Sequence, residues 1–148
     1  MPEACKCTDV SCDMPASQAP RPRLLIADDH QGMRENIRRL LGREFDIVGE
    51  FGDGQQVLAA VDDLCPDVLV LDISMPRLGG IEAAERLHSM GRQAKIVFLT
   101  MHDDADYAHA ALATGALGYV VKTRMVSDLG KAIRHALKGQ RFVSPTIL

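Results

Sequence analysis

Three carboxylates, a hydroxyl and an ammonium stand where four short apolar runs of this sequence end. The runs have three or four residues each, and the polar residues that end them are Asp28 and Asp29, Asp72, Thr100 and Lys122. Continuous runs of Val, Ile and Leu are typical of parallel strands that are buried on both faces. Because ligands of such sheets bind beyond the carboxyl ends of the strands, we expect these side chains to share one edge.

The chemistry predicted for this group is phosphoryl transfer onto a carboxylate. Clustered carboxylates repel one another unless a cation neutralises them or a proton is shared. Mg2+ is the natural partner, since it prefers oxygen ligands and keeps several waters. Asp72 can act as the nucleophile, because carboxylates form aspartyl phosphates. Lys122 adds a positive charge for Asp72 or a phosphoryl oxygen, and Thr100 adds a hydroxyl donor.

Each of these residues also has a simpler interpretation. An Asp-Asp pair after a strand often starts a helix, a Thr there often caps one, and a Lys often extends to solvent along an apolar surface. The joint pattern favours the functional interpretation, because every polar residue falls at the same end of a predicted strand.

Strands and helices are predicted to alternate five times. The predicted strands are residues 23–27, 45–51, 67–71, 95–99 and 117–121. A helix follows each strand, with Asp53 and Ser127 predicted to cap the second and the fifth. The second strand alternates apolar and polar residues, which is typical of a less buried position.

This alternation predicts an α/β fold with helices on both faces of a parallel sheet. A flavodoxin-like, doubly wound, five-stranded sheet of order 2-1-3-4-5 fits best, because it places the alternating second strand at an edge. The same order makes the first and third strands neighbours, so Asp28 and Asp29 are predicted to lie near Asp72.

Bulk composition indicates one ordinary globular domain. The chain has 148 residues, of which 47% are hydrophobic and 25% charged. A net charge of -3 argues against direct binding to nucleic acid, which usually requires a basic face. The sequence has neither an 18-residue apolar run nor a signal-peptide segment, so a cytoplasmic location is predicted.

The two ends are predicted to lie outside the domain. Residues 1–22 carry four prolines and Cys5, Cys7 and Cys12, and they are predicted to be a flexible extension of unassigned role. The domain is expected to span 23–140, and 141–148 to begin a linker. Cys65 is predicted to be a small apolar residue, and no disulfide is expected in a reducing compartment.

Four segments of the chain resemble the receiver domain of bacterial two-component response regulators, which has the CheY-like form of this fold. The segments are LLIADDH at 24–30, VLDISMP at 70–76, FLTMH at 98–102 and GYVVK at 118–122. The resemblance covers about residues 23–140. It is greatest to the NarL/FixJ group, whose receivers normally precede a LuxR-type helix-turn-helix DNA-binding domain.

The resemblance implies roles for the acidic residues. Asp72 matches the phospho-accepting aspartate and is also a metal ligand. Asp29 matches a direct ligand of Mg2+, and Asp28 matches the residue that helps through water. Ser74 stands where a backbone carbonyl completes the metal shell.

The resemblance also implies roles for residues of the last two predicted strands. Thr100 and Lys122 match the hydroxyl and the ammonium that bind the phosphoryl group. Tyr119 matches the aromatic residue whose ring changes burial on activation. Met101, which is larger than the residue of many receivers, is expected to narrow access to the acceptor, and His102 to tune that access.

The implied partners are a sensor histidine kinase, whose phosphohistidine is the donor, and a second copy of the chain on phosphorylation. DNA is expected to bind only through an output domain that this chain does not contain. The implied protein is a phosphoryl acceptor rather than an enzyme, with Mg2+-dependent self-phosphorylation and self-dephosphorylation at most.

Three alternatives remain open. One is a stand-alone receiver that acts through protein contacts. A haloacid-dehalogenase-type phosphatase also uses an aspartate nucleophile and Mg2+, but it usually has a second Asp two residues later, where this chain has Ser74. A flavodoxin-like cofactor binder would have Ser, Thr and Gly after the first strand, whereas Asp28 and Asp29 repel phosphate without a metal.

Overall fold

Strands and helices alternate along the chain in the computed structural model, which describes residues 21–91 and 94–145. The elements are β1 (Arg23–Ala27), α1 (Gln31–Leu41), β2 (Asp46–Phe51), α2 (Gly54–Leu64), β3 (Val68–Leu71), α3 (Gly80–Ser89), β4 (Lys95–Thr100), α4 (Ala105–Ala113), β5 (Gly118–Val121), a 3-10 turn (Lys122–Arg124), α5 (Met125–Leu137) and β6 (Phe142–Val143). All neighbouring strands pair in parallel, in the order β2-β1-β3-β4-β5-β6.

The predicted fold class and strand order are confirmed. β2 lies at an edge and all six of its residues are partly exposed, whereas all four residues of β3 are buried. The edge position explains the alternating sequence of β2, because a strand with one neighbour does not need to be apolar on both faces. Asp53 caps α2 as predicted, since its side chain accepts a hydrogen bond from the Gln56 amide at 2.9 Å.

Two local predictions differ from the structure. A sixth strand, β6, extends the sheet beyond the predicted five and lies among residues that were expected to begin a linker. Helix α5 begins at Met125, so the prediction that Ser127 caps it is wrong. The Ser127 hydroxyl instead donates to the Arg124 carbonyl and to Asp128, within the first turn of the helix.

The core consists of two apolar layers, one on each face of the sheet. Successive strand residues point to opposite faces, so Leu25 packs in one layer and Leu24 in the other. Helices α2, α3 and α4 cover the first layer, and α1 and α5 cover the second. Burial on both faces accounts for the continuous apolar runs of β1, β3, β4 and β5.

Several expectations concern the chain ends and the cysteines. Residues 1–20 and 146–148 lie outside the described residues, and so do the predictions made for Cys5, Cys7 and Cys12 and for the last three residues of the linker. Cys65 is disulfide-bonded, so the expectation that no disulfide forms is wrong for this residue. Among the helices of the described ranges, none has the length and apolar character needed to cross a membrane.

Candidate functional site

The pairing of β1 with β3 brings two acidic residues to one edge of the sheet. Ala27 is in register with Leu71, and the Asp72 amide donates to the Ala27 carbonyl at 2.9 Å. Asp28 and Asp72 follow these two residues directly. They are 1% and 6% exposed, so two carboxylates are buried at the carboxyl end of the central strands.

Lys122 joins these two carboxylates. It follows β5, two strands away from β3, and its long side chain reaches across the end of β4. The Nζ atom lies 2.7 Å from Asp28 Oδ2 and 3.0 Å from Asp72 Oδ2, and it donates a hydrogen bond to Asp72. The structure therefore brings together Asp72, Lys122 and one of the other two predicted carboxylates, Asp28.

Burial and Lys122 shift the pKa of Asp72 in opposite directions. Burial raises the pKa of the Asp72 carboxyl, and the hydrogen bond and charge of Lys122 offset part of that rise. Burial lowers the pKa of Lys122, but its bonds to Asp28 and Asp72 outweigh burial and leave that pKa above its ordinary value. Lys122 is therefore charged at neutral pH, and one positive charge faces two carboxylates.

Asp29 lies at the exposed rim of the site beside a histidine. His30 Nδ1 is 3.1 Å from Asp29 Oδ1 and 3.4 Å from Asp28 Oδ1. In the part of the chain that the structure describes, these three residues form the one group whose potential metal-ligand atoms all lie within 4.8 Å of one another. Asp72 is not in that group. His30 itself is exposed, with its ring beside the two carboxylates.

A cleft of about 650 Å³ opens between Asp29 and the loop that follows β3. Its lining residues are Asp29, Ile73, Ser74, Met75, Pro76, Gly79, Ile81 and Glu82. The Ser74 amide donates to Asp72 Oδ1 at 3.4 Å, which places Ser74 directly beside the Asp72 carboxylate. Carboxylate oxygens with space for water beside them are a donor set that suits Mg2+, so these residues fit that ion.

The loop after β3 is held against α2 and α3. Arg77 has a left-handed φ of 64°, and its Nη1 atom lies 2.6 Å from Asp53 Oδ2. Gly80 lets α3 begin against the main chain of Asp72, because a Cβ there would lie 2.1 Å from the Asp72 carbonyl oxygen. The backbone around Asp72 is thus fixed by contacts on both sides.

Thr100 and Tyr119 meet through the backbone of His102. Both side chains are fully buried. The His102 amide donates to Thr100 Oγ1 at 3.2 Å, and the Tyr119 hydroxyl donates to the His102 carbonyl at 2.7 Å. Burial also raises the pKa of Tyr119 well above its ordinary value. The ring of Tyr119 is therefore already inside the domain in this structure.

The His102 side chain links the loops that follow β3 and β4. Its Nε2 atom lies 2.9 Å from Ser74 Oγ, and its ring stacks on Tyr107 with a centroid distance of 4.0 Å and an interplanar angle of 19°. Met101, by contrast, is 63% exposed. His102 thus lies beside the loop that follows β3. Tyr107 holds the His102 ring by stacking, a role that the sequence did not reveal.

The chain belongs to the response regulator receiver domain family, which it matches over residues 24–134. This match confirms the resemblance found in the sequence motifs. Its relatives are response regulators of the LuxR and NarL/FixJ type.

Curated relatives include the transcriptional regulatory protein DegU of Brevibacillus brevis. It is 34% identical over 84% of this chain and 54% of its own length. The transcriptional regulatory protein YxjL of Bacillus subtilis is 38% identical over 80% of this chain and 55% of its own length. The chain spans 54–64% of the length of the curated relatives compared.

Solved structures of the same kind superpose on this fold. A LuxR-family response regulator from Aurantimonas sp. SI85-9A1 has a TM-score of 0.82 and 35% identity, and the match covers 86% of this chain and 92% of that one. The RcsB response regulator of Salmonella typhimurium has a TM-score of 0.79 and 29% identity over 86% of this chain and 65% of its own.

Proposed function

We propose that this receiver domain accepts a phosphoryl group on Asp72 from the phosphohistidine of a sensor histidine kinase. The observation that carries the proposal is the contact of Lys122 with Asp72 at the carboxyl end of the central strand, with Asp28 bound to the same ammonium. A buried carboxylate beside a fixed positive charge is suited to attack a phosphoryl group and to hold the charged product.

The proposed transfer forms one bond to phosphorus and breaks one. An Asp72 carboxylate oxygen bonds to phosphorus, and the phosphorus–nitrogen bond of the donor histidine breaks. The electron pair of the broken bond stays on the histidine nitrogen, which then takes a proton from solvent. Lys122 pairs with the negative oxygens of the transferred group, and Thr100 donates its hydroxyl to one of them.

Mg2+ is the proposed cofactor. Asp29, Asp72 and the backbone carbonyl of Ser74 would hold the ion, with Asp28 acting through a water. The ion would offset the negative charge of the phosphoryl oxygens. The support for this proposal is the exposed carboxylate of Asp29 on the wall of the cleft and the hard oxygen donors around it.

The proposed output is transcriptional control through a helix-turn-helix domain beyond this chain. Relatives described as transcriptional regulators are longer than this chain, which supports a further domain. An RcsB structure is described as two dimers bound to two parallel DNAs, which supports homodimerisation as the way DNA is engaged. In this proposal, phosphorylation of Asp72 promotes the dimer. A stand-alone receiver that acts through protein contacts is the alternative output.

The phosphatase alternative has less support. That chemistry needs an acid or base two residues after the nucleophile. Ser74 occupies this position, and its hydroxyl is engaged by His102 Nε2 at 2.9 Å. The described site thus favours an acceptor over a hydrolytic enzyme.

The test of the proposal is labelling by acetyl phosphate, followed by intact mass spectrometry. We expect the chain to gain one phosphoryl group in the presence of Mg2+ and none in the presence of a chelator. Asp29→Ala should raise the Mg2+ concentration needed for half-maximal labelling, whereas Asp103→Ala, at an exposed carboxylate outside the site, should leave it unchanged. Equal labelling with and without the chelator would contradict the role of the ion.

A further inference from the structure

A second buried polar cluster lies beside the site and is not explained by it. Asp128 and Ser144 are 2% and 0% exposed. The Asp128 carboxylate accepts hydrogen bonds from Arg124 Nε at 2.8 Å, Ser127 Oγ at 3.1 Å and Ser144 Oγ at 2.9 Å. Buried polar groups are costly unless they are satisfied, so a cluster with this many bonds specifies one local geometry.

Ser144 connects this cluster to β5. Its amide donates to the Tyr119 carbonyl at 2.9 Å, and its hydroxyl accepts from the Val121 amide at 3.2 Å. Val121 is the residue directly before Lys122. The side chain of Ser144 therefore provides the hydrogen bond for the last amide of the strand that delivers the lysine.

The turn that carries Lys122 is consequently held at both ends. Ser144 fixes the Val121 amide before the turn, and Asp128 fixes the Arg124 side chain at its end. The ammonium must cross the end of β4 to reach Asp72 at 3.0 Å, so a small movement of the turn displaces it from the acceptor. Ser144 directly follows β6, so the segment of residues 142–145 supplies part of this support.

We propose that Asp128 and Ser144 are positioning residues for Lys122, and that phosphoryl binding at the site in turn changes how residues 142–145 dock on β5. The second part follows from the first, because coupling between two sites is reciprocal. This inference rests on the proposed function. It links residues 142–145, through the bond of Ser144 to the Val121 amide, to the position of Lys122.

The test uses the 148-residue chain and beryllium trifluoride, a phosphoryl mimic, at saturating Mg2+. Titration should show that Ser144→Ala weakens binding of the mimic about fivefold or more, the lower end of typical coupling energies. Ser144→Thr, which keeps the hydroxyl, should bind the mimic with an affinity within about twofold of that of the natural chain. Ser89→Ala removes an exposed helix hydroxyl that bonds to the Glu85 carbonyl, and it should have no effect.

Amide hydrogen exchange of the natural chain provides a second test that needs no variant. Exchange at Val121 and Ser144 should change when the mimic saturates the site, and unchanged exchange there would overturn the inference. Equal affinity of Ser144→Ala and the natural chain would also overturn it. Failure of the natural chain itself to bind the mimic would instead overturn the proposed function, and the inference with it.

Discussion

Lys122 Nζ lies 3.0 Å from Asp72 Oδ2, and both side chains are at least nine-tenths buried. Neither charge could occupy this position alone, because an unpaired buried charge is strongly destabilising. The pair links Asp72, at the end of β3, to the turn after β5. Its second contact, with Asp28, leaves two carboxylates sharing one ammonium, an arrangement that favours binding of a further cation.

Replacement of the lysine should therefore destabilise the metal-free domain. We expect Lys122→Met to lower the free energy of unfolding by about 3 kcal/mol without Mg2+, because Asp28 and Asp72 lose their shared counter-charge. Saturating Mg2+ should recover part of this loss. Urea denaturation with and without the ion measures both effects, with Lys138→Met, an exposed lysine, as the control. A loss that is equal for the two lysines would contradict the role of the buried contact.

The ionised carboxylate of Asp128 should make the free energy of unfolding depend on pH in the acid range. Burial raises the pKa of Asp128, but its bonds to Arg124, Ser144 and Ser127 outweigh burial and hold the pKa below its ordinary value of 3.8. As pH falls, Asp128 is therefore protonated in the unfolded chain at a higher pH than in the folded domain. The stabilisation from this carboxylate is fully present above the unfolded value and is lost as pH falls through the lower, folded value.

Asp128→Asn is the variant that tests this dependence. The stability gap between the natural chain and the variant should be constant near neutral pH and should shrink below pH 3.8. Thermal unfolding as a function of pH measures the gap. A gap that stays constant through this acid range would show that Asp128 is not held ionised by its neighbours.

Loss of the Tyr119 hydroxyl should loosen the loop after β4. Tyr119→Phe removes the donor to the His102 carbonyl and should cost about 1 kcal/mol of stability. Amide exchange in residues 101–104 should become faster. Tyr107→Phe keeps the ring that stacks on His102 and serves as the matched control. Unchanged exchange in Tyr119→Phe would mean that this bond does not hold the loop.

Met101 is expected to limit the access of water to phosphorylated Asp72. Met101→Ala should shorten the lifetime of the aspartyl phosphate about threefold, which corresponds to about 0.65 kcal/mol of activation free energy. The decay of chain labelled with acetyl phosphate gives the rate. An unchanged lifetime would show that Met101, whose side chain is 63% exposed, does not limit access to Asp72.

The sequence predicted those parts of the site that depend on the sheet alone. Asp28, Asp72 and Lys122 directly follow buried runs, and the strand order brings their side chains together, as the contacts of Lys122 show. The edge position of β2 was also predictable from its sequence. A strand buried on both faces is a continuous apolar run, whereas a less buried strand alternates apolar and polar residues.

Contacts between loops were not predictable from the sequence. The His102–Ser74 bond depends on two loop conformations and two rotamers that carry no periodic signal. β6 has two residues, which is too short for an alternating pattern to be recognised. The bond from Ser144 to Asp128 likewise joins residues whose proximity arises only when β6 pairs with β5.

The most direct test of the account is the labelling of Asp72→Asn by acetyl phosphate with Mg2+, read by intact mass spectrometry. Asparagine keeps the size of the side chain but lacks the nucleophilic carboxylate. We predict one phosphoryl group on the natural chain and on Asp103→Asn, and none on Asp72→Asn. A phosphoryl group on folded Asp72→Asn at the natural rate would contradict the assignment of Asp72 as the acceptor.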